Sequence, residues 1–235
     1  MTVASDLDHF YELLGELEGR VSGRRSLTAC DARTGWPRRG VYFFFETGEV
    51  RRDGSSRVVR VGTHAVSQGS KTVLWGRLKQ HRGAGPVGSV GGGSHRGSVF
   101  RRHVGEALVR SGRLATIESW GVGGSATRIA RAAEDAHERV VSEVIGAMPL
   151  VWIDAADEPS AKSVRATIER NAIGLLAAGR AAGLDPPSTA WLGHHALDSA
   201  IGTSGLWNVR HVEPSYDPAF LATFATLATA TTGQR

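Results

Sequence analysis

Two runs of β-forming residues joined by a turn constrain the fold of this chain more than any other feature. The first run is Gly40–Glu46, which reads GVYFFFE and is dense in aromatic and β-branched side chains. The second is Arg57–Gly62, which reads RVVRVG. The segment between them contains Asp53-Gly54, a dipeptide typical of tight turns. Together these features predict an antiparallel β-hairpin.

Helical spacing of apolar residues predicts helices on both sides of this hairpin. An amphipathic helix is predicted from the start of the chain to about Arg20, and a short buried strand is predicted at Pro149–Asp154. The arrangement predicts an α+β fold, in which a small antiparallel three-stranded sheet is flanked by helices, with an added N-terminal helix and a C-terminal extension. The other predicted helices are Lys71–His81, Val99–Arg110, Thr127–Ile145, Ser160–Ala178, Ala196–Ile201 and a last one from Pro218.

Charge and composition narrow the class of partner. A net charge of +5 on 235 residues favours a polyanion, either nucleic acid or an anionic membrane surface. The start of the chain is acidic and unlike a signal peptide, and no run approaches the ~18 apolar residues of a membrane span. The single cysteine, Cys30, excludes an internal disulfide and a Cys-rich zinc site. We therefore expect a cytoplasmic protein that binds no membrane.

Several polar residues have the spacing of a chemical site. Arg77 and His81 are four positions apart on one predicted helix, and therefore share a face. Glu169 lies on the predicted helix Ser160–Ala178, near the edge of an apolar stripe where an unpaired carboxylate would be costly. Asn208 follows later in the chain.

Taken in order along the chain, these residues resemble the motifs of the GIY-YIG nuclease superfamily. Gly40-Val41-Tyr42 stands where the first motif would be, and Arg60-Val61-Gly62 stands where the second would be. Arg77 matches the arginine of the following helix, Glu169 the metal-binding glutamate, and Asn208 the asparagine after it. The individual motifs are short, but five elements in the family's order are more specific than any one alone.

The spacing of Arg77 and His81 is similar to the branch of the superfamily that includes restriction endonucleases. The resemblance covers roughly residues 40 to 208. It implies three segments: an N-terminal helix and basic linker at 1–39, a nuclease core at 40–212 and a helical tail at 213–235.

The resemblance implies a metal-dependent endonuclease that hydrolyses DNA phosphodiester bonds. Tyr42 would be the candidate base, assisted by His81, and Arg77 would contact the phosphate. Glu169 would hold Mg²⁺, with Mn²⁺ as an alternative, because hard divalent cations prefer oxygen ligands and complete their shell with water. One such site cuts one strand, so double-strand cleavage would need a homodimer or two visits.

Arg60 departs from the family pattern because it stands at the position of the second tyrosine. An arginine does not deprotonate in proteins and cannot act as a base. It can still bind the scissile phosphate through a charge-assisted hydrogen bond. The departure keeps open a second interpretation, a catalytically inactive or weak DNA-binding module that retains the fold. A third is a non-nuclease protein with an accidental resemblance.

Each candidate residue also has an ordinary structural interpretation. Tyr42 lies in an apolar strand and is typical of a core aromatic. Glu169 has Arg165 one helical turn before it, so an i,i+4 ion pair is an alternative to metal binding. Asn208 is also typical of a turn.

A basic segment follows the glycine-rich stretch 83–97. Its donors are concentrated at a predicted helix start, where they would contact the phosphates of a nucleic acid. The alternative is an ordinary basic surface. The residues predicted to bind nucleic acid are His95, Arg96, Arg101, Arg102 and His103.

Overall fold

The computed structural model describes residues 2–232, in which helices cover both faces of one antiparallel sheet. Met1 and residues 233–235, at the two ends of the predicted segments, lie outside the described residues. The strands are β1 (Arg25–Ser26), β2 (Gly40–Val50), β3 (Ser56–Gly62) and β4 (Pro149–Asp154). The helices are α1 (Val3–Arg20), α2 (Leu74–Arg82), α3 (Val99–Arg110), α4 (Arg128–Ala147), α5 (Val164–Ala181), α6 (Ser199–Ser204) and α7 (Phe220–Ala230).

The sheet has four strands in the order β1-β4-β2-β3. The α+β class and the β2–β3 hairpin agree with the sequence prediction, but the prediction of three strands is wrong. The fourth strand, β1, has two residues, and its Arg25 pairs with Leu150 of β4. Its sequence contains no run of β-forming residues, so its pairing depends on β4 being in place rather than on local propensity.

Both faces of the first half of β2, residues 40–45, are covered, which explains the apolar sequence of that half. Tyr42 and Phe44 point toward α2 and α3. Phe43, on the opposite face, contacts Phe10 of α1 and Phe224 of α7, with ring centroids 5.8 and 5.6 Å apart. The central strand therefore joins the helices from the two ends of the chain to one core.

Helix α1 packs on this core through the apolar stripe predicted from its periodicity. Its buried side chains and those of α7 belong to the same hydrophobic cluster as the sheet. The predicted segment boundaries at residues 39 and 212 stay a prediction, and the segments on either side of them share one core here. No helix in the described part of the chain is long and apolar enough to cross a bilayer.

Helix α5 begins later than its sequence predicted. Ser163 is its N-cap and accepts a hydrogen bond from the Ala166 backbone N–H, whereas the sequence pointed to Ser160. Asp157 accounts for the difference, because its carboxylate accepts the backbone N–H of Arg165 in the first turn. The loop after β4 therefore helps to set where the helix that carries Glu169 starts.

Candidate active site

Both motif glycines are required by close approach of other atoms. Tyr42 of β2 pairs with Gly62 of β3, and a Cβ at Gly62 would overlap the Tyr42 hydroxyl. A Cβ at Gly40 would overlap the carbonyl oxygen of Ile153 in β4. A side chain at either position would displace the tyrosine or separate two strands, so glycine is the residue that fits.

Tyr42, His81 and Ser98 form a buried hydrogen-bonded chain across β2, α2 and the start of α3. The Tyr42 hydroxyl oxygen lies 2.8 Å from His81 Nε2. The other ring nitrogen, Nδ1, lies 2.7 Å from Ser98 Oγ. Burial holds the pKa of His81 well below its usual value, and the charges of Arg60 and Arg77 lower it further. His81 is therefore neutral at neutral pH.

Arg60 lies on the same face of the sheet as Tyr42, at the position of the second motif tyrosine. Its Nη1 donates to the carbonyl oxygen of Trp207 at 2.5 Å, and its guanidinium carbon lies 4.5 Å from the centroid of the Phe100 ring. Burial lowers the pKa of Arg60, while the nearby Tyr42 raises it. Arg60 nevertheless remains charged, because an arginine pKa stays far above neutrality.

Glu169 enters the site from α5 without forming the predicted alternative ion pair. Its Oε1 accepts the backbone N–H of Thr63 at 3.0 Å. Arg165 instead pairs with Asp157, and its guanidinium also donates to the carbonyl oxygen of His64. Burial raises the pKa of Glu169, and the Thr63 hydrogen bond followed by the positive charge of Arg60 opposes that rise.

One cleft of about 470 Å³ is lined by four of the predicted catalytic residues, Arg60, Arg77, Glu169 and Asn208. Tyr42 and His81 have no exposed surface, but they lie close enough to Arg60 for electrostatic interaction. The site is therefore a charged cleft with a buried Tyr–His pair beside it. The cleft is lined by Arg60, Thr63, Val66, Arg77, Val99, Arg102, Glu169, Ile173, Trp207, Asn208, Val209, Arg210 and His211.

Comparison with known families shows which family the chain belongs to. The family model described as GIY-YIG domain matches residues 1–234. The chain belongs to the GIY-YIG domain family. No match was found among curated proteins or solved structures.

Membership in the GIY-YIG domain family confirms the resemblance and indicates a nuclease-type activity. The match also includes α1 and α7, and so extends beyond the residues that carried the resemblance. Within the superfamily, the predicted branch of restriction endonucleases stays a prediction.

Asn208, the asparagine matched to the family pattern, is already hydrogen-bonded on both sides of its amide. Its Nδ2 donates to the Val61 carbonyl oxygen at 2.8 Å, and its Oδ1 accepts the Val61 backbone N–H at 3.1 Å. The backbone N–H of Trp207 donates to Val59 on the same strand. These bonds cover the outer edge of β3, so Asn208 shapes the cleft by holding residues 205–208 against the sheet.

The basic segment is not the exposed surface that its sequence predicted. Arg96 forms a double hydrogen bond with Glu134, and Arg101 pairs with Glu138 while having no exposed surface. Both glutamates come from α4, so the donors face inward. The positions that are buried and paired are His95, Arg96, Arg101 and His103, whereas Arg102 lines the cleft.

Sequence reasoning missed several residues at the site. Thr63 holds Glu169 through its backbone, which leaves no side-chain signal to detect. His211 has a positive φ of 60°, an uncommon conformation for a non-glycine residue, and lines the cleft beside Arg210. Ser98 carried a usable signal as the residue before a helix, but that signal predicts a cap and not a histidine partner.

GIY-YIG nucleases generally use a divalent metal ion, and Glu169 fits a site with few protein ligands. Residues 2–232 contain no group of three His, Cys, Asp or Glu side chains placed to hold a metal. Glu169 faces the cleft, and within residues 2–232 its carboxylate forms no ion pair. Mg²⁺ suits such a position, because it is commonly held by one or two carboxylates with water and substrate phosphate as the remaining ligands.

Proposed function

We propose that this GIY-YIG domain is a metal-dependent endonuclease that hydrolyses DNA phosphodiester bonds. The proposal depends on one observation: a cleft lined by Arg60, Arg77 and Glu169 lies beside the buried, hydrogen-bonded pair of Tyr42 and His81. The cleft also receives Arg102 and Arg210, so arginines outnumber its single carboxylate. A positively charged cleft attracts a phosphodiester and is the expected partner of a polyanion.

The Tyr42–His81 pair supplies the proton transfer that hydrolysis needs. A water proton passes to the Tyr42 oxygen while the tyrosine proton moves to His81 Nε2 across their 2.8 Å hydrogen bond. The hydroxide forms a bond to phosphorus while the bond from phosphorus to the leaving sugar oxygen breaks. That oxygen leaves with the bonding electron pair and takes a proton from solvent water. The lowered pKa of His81 supports this role because a neutral imidazole ring has one nitrogen free to accept a proton.

Arg77 binds the phosphate oxygens, because a guanidinium presents donors in a fork that matches them. Arg60 adds a second positive charge on the side of the cleft next to Tyr42, where it can also contact the phosphate. Glu169 would hold the metal ion, which when bound supplies positive charge to the reacting phosphate. The chain's own residues thus divide the work between proton transfer, phosphate binding and metal binding.

A second candidate function is a DNA-binding module with weak or no nuclease activity. Two observations favour it: Arg60 replaces the second motif tyrosine, and Tyr42 has no exposed surface. A water can reach the Tyr42 oxygen only if a neighbouring side chain moves. Arg60, whose charge acts on Tyr42 from the cleft, is the candidate for that movement.

A plasmid nicking assay with Mg²⁺ or Mn²⁺ separates the two functions. We expect metal-dependent nicking by the wild type and none by Glu169→Gln, which removes the charge at the metal position. Tyr42→Phe should lower the nicking rate by about 10²–10⁴-fold, the usual contribution of a general base, and should leave DNA binding intact. Glu143→Gln, an exposed carboxylate on α4, is the matched control and should cut normally.

Absence of cleavage by the wild type, with salt-sensitive DNA binding retained, would favour the binding module. Equal cleavage by wild type and Tyr42→Phe would contradict the role of Tyr42 as base. Equal cleavage by wild type and Glu169→Gln would contradict the metal position.

A further inference from the structure

Ser98 has two structural roles, one as a helix cap and one as a hydrogen-bond partner of His81. It is the N-cap of α3, where its Oγ accepts the backbone N–H of Arg101 at 3.3 Å. The same oxygen lies 2.7 Å from His81 Nδ1. Ser98 is 1% exposed and His81 is fully buried, so bulk water does not compete for this contact. The start of α3 is thereby joined directly to the histidine of α2.

Two arrangements of hydrogens satisfy the heavy-atom distances. In the first, His81 Nδ1–H donates to Ser98, and the bare Nε2 accepts the hydrogen of the Tyr42 hydroxyl. In the second, the Ser98 hydroxyl donates to Nδ1, and Nε2–H donates to the Tyr42 oxygen. Only the first leaves Nε2 free to receive a proton from Tyr42.

The charges around Tyr42 favour the first arrangement. Arg60 lines the cleft on the same face of the sheet as Tyr42, two residues before Gly62, which pairs with Tyr42. The nearby tyrosine also raises the pKa of Arg60. A hydroxyl dipole turns its hydrogen away from a neighbouring positive charge. The Tyr42 hydrogen therefore points toward His81, and the tautomer of a histidine follows from the hydrogen bonds made by its two nitrogens.

We propose that Ser98 is a positioning residue that holds His81 in the tautomer with Nδ1 protonated and Nε2 free to accept the Tyr42 proton. The consequence for catalysis rests on the proposed nuclease function. The tautomer itself does not, because it is a property of the resting protein. Ser98 touches neither substrate nor metal and acts through His81.

The first test reads the tautomer directly in ¹⁵N-labelled full-length protein. Long-range ¹⁵N–¹H correlation spectra distinguish a protonated from a bare ring nitrogen, and His81→Gln identifies the signals of His81. We expect a protonated Nδ1 and a bare Nε2 in the wild type. A protonated Nε2 in the wild type would overturn the proposal without any variant at Ser98.

The second test compares Ser98→Ala, Ser98→Thr and Thr127→Ala. Ser98→Ala removes the hydroxyl and should shift His81 toward a mixture of tautomers and lower kcat by about 10–100-fold, with KM nearly unchanged. Ser98→Thr keeps the hydroxyl and should restore both. Thr127→Ala removes the N-cap of α4 without touching a histidine, and controls for the stability lost with a cap.

Ser98→Ala with the wild-type tautomer and a kcat equal to that of Thr127→Ala would also overturn the proposal. If Ser98→Ala does not fold, failure of Ser98→Thr to keep the wild-type tautomer would do the same. A wild type that cuts no DNA but shows the expected tautomer, lost in Ser98→Ala, would reject the proposed nuclease function and still support the positioning role.

Discussion

At the scale of single residues, Gly62 and His64 each have surroundings that constrain which side chain can stand there. At Gly62 the Tyr42 ring lies directly on the backbone of the neighbouring strand, and no side chain fits between them. At His64 the structure buries a histidine whose two ring nitrogens have no hydrogen-bond partner in residues 2–232. These two positions have measurable consequences, the first for activity and the second for stability.

Gly62→Ala should break the active-site geometry. The added methyl group would overlap the Tyr42 hydroxyl, so the ring must move away from His81. We expect at least a tenfold loss of kcat and a fall of about 1–3 kcal/mol in the free energy of unfolding, typical of overpacking. Cleavage rates and urea denaturation check both values.

Gly15→Ala is the control for Gly62→Ala, because a Cβ at Gly15 in α1 meets no atom within 4 Å. It should leave activity unchanged and raise stability slightly, since alanine favours a helix. A fully active Gly62→Ala would show that Tyr42 need not lie where the structure places it.

His64 should make the protein less stable in mild acid. Burial, followed by the charge of Arg165, lowers its pKa to about 4, whereas the unfolded chain has an ordinary value near 6.5. The unfolded state therefore binds the proton first. Stability is fully present above about pH 6.5 and is lost as the pH falls from there toward 4.

We expect the free energy of unfolding to be about 2 kcal/mol lower at pH 5 than at pH 7 through His64. The lowered pKa of His81 acts in the same direction. His64→Leu should make the dependence on pH less steep, as measured by urea denaturation at the two pH values. An identical dependence in wild type and His64→Leu would contradict the assignment.

At the scale of elements, α3 and α4 are joined by a buried ion pair. The Arg101 guanidinium donates to Glu138 Oε2 at 2.6 Å and to Ser142 Oγ at 3.0 Å, and it also bonds the carbonyl oxygen of His81 at 2.9 Å. This network ties the end of α2, which carries His81, to the two following helices. Breaking it should affect the position of His81 as well as the stability of the fold.

Glu138→Gln should cost about 3–5 kcal/mol of unfolding free energy, because it leaves the Arg101 charge buried without a carboxylate. Asp135→Asn on the same helix is the matched control. Asp135 pairs with Arg139 at the surface, where side-chain exposures of 52% and 59% predict a loss below ~1 kcal/mol. Thermal or urea denaturation checks the difference, and equal losses would contradict a structural role for the buried pair.

At the scale of the whole molecule, the first and last helices pack into one core with the central strand of the sheet. Phe10 of α1 and Phe224 of α7 meet at 5.4 Å between ring centroids, and both contact Phe43 of the central strand. The segments outside the predicted nuclease core therefore contribute to its stability. The cleft lies apart from this aromatic cluster, among residues of β3, α2, α3 and α5.

One candidate active site in residues 2–232 predicts one cut per binding event. We expect nicked circles as the first plasmid product wherever the protein sediments as a monomer, and linear DNA without a nicked intermediate only where it sediments as a homodimer. Product analysis beside sedimentation at matched concentrations checks this. Linear product formed directly by a monomer would contradict the assignment of a single site.

The sequence alone determined the hairpin, most of the helices and the order of the family motifs, because these depend on local periodicity and residue type. Only the tertiary structure decided the partners of the site residues. It pairs Arg101 with Glu138, 37 positions later, and forms hydrogen bonds between Asn208 and Val61, which are 147 positions apart. Periodicity carries no information on such separations, since those contacts arise from how finished elements pack. For the same reason a basic segment became an interior network, and a helix cap became the partner of His81.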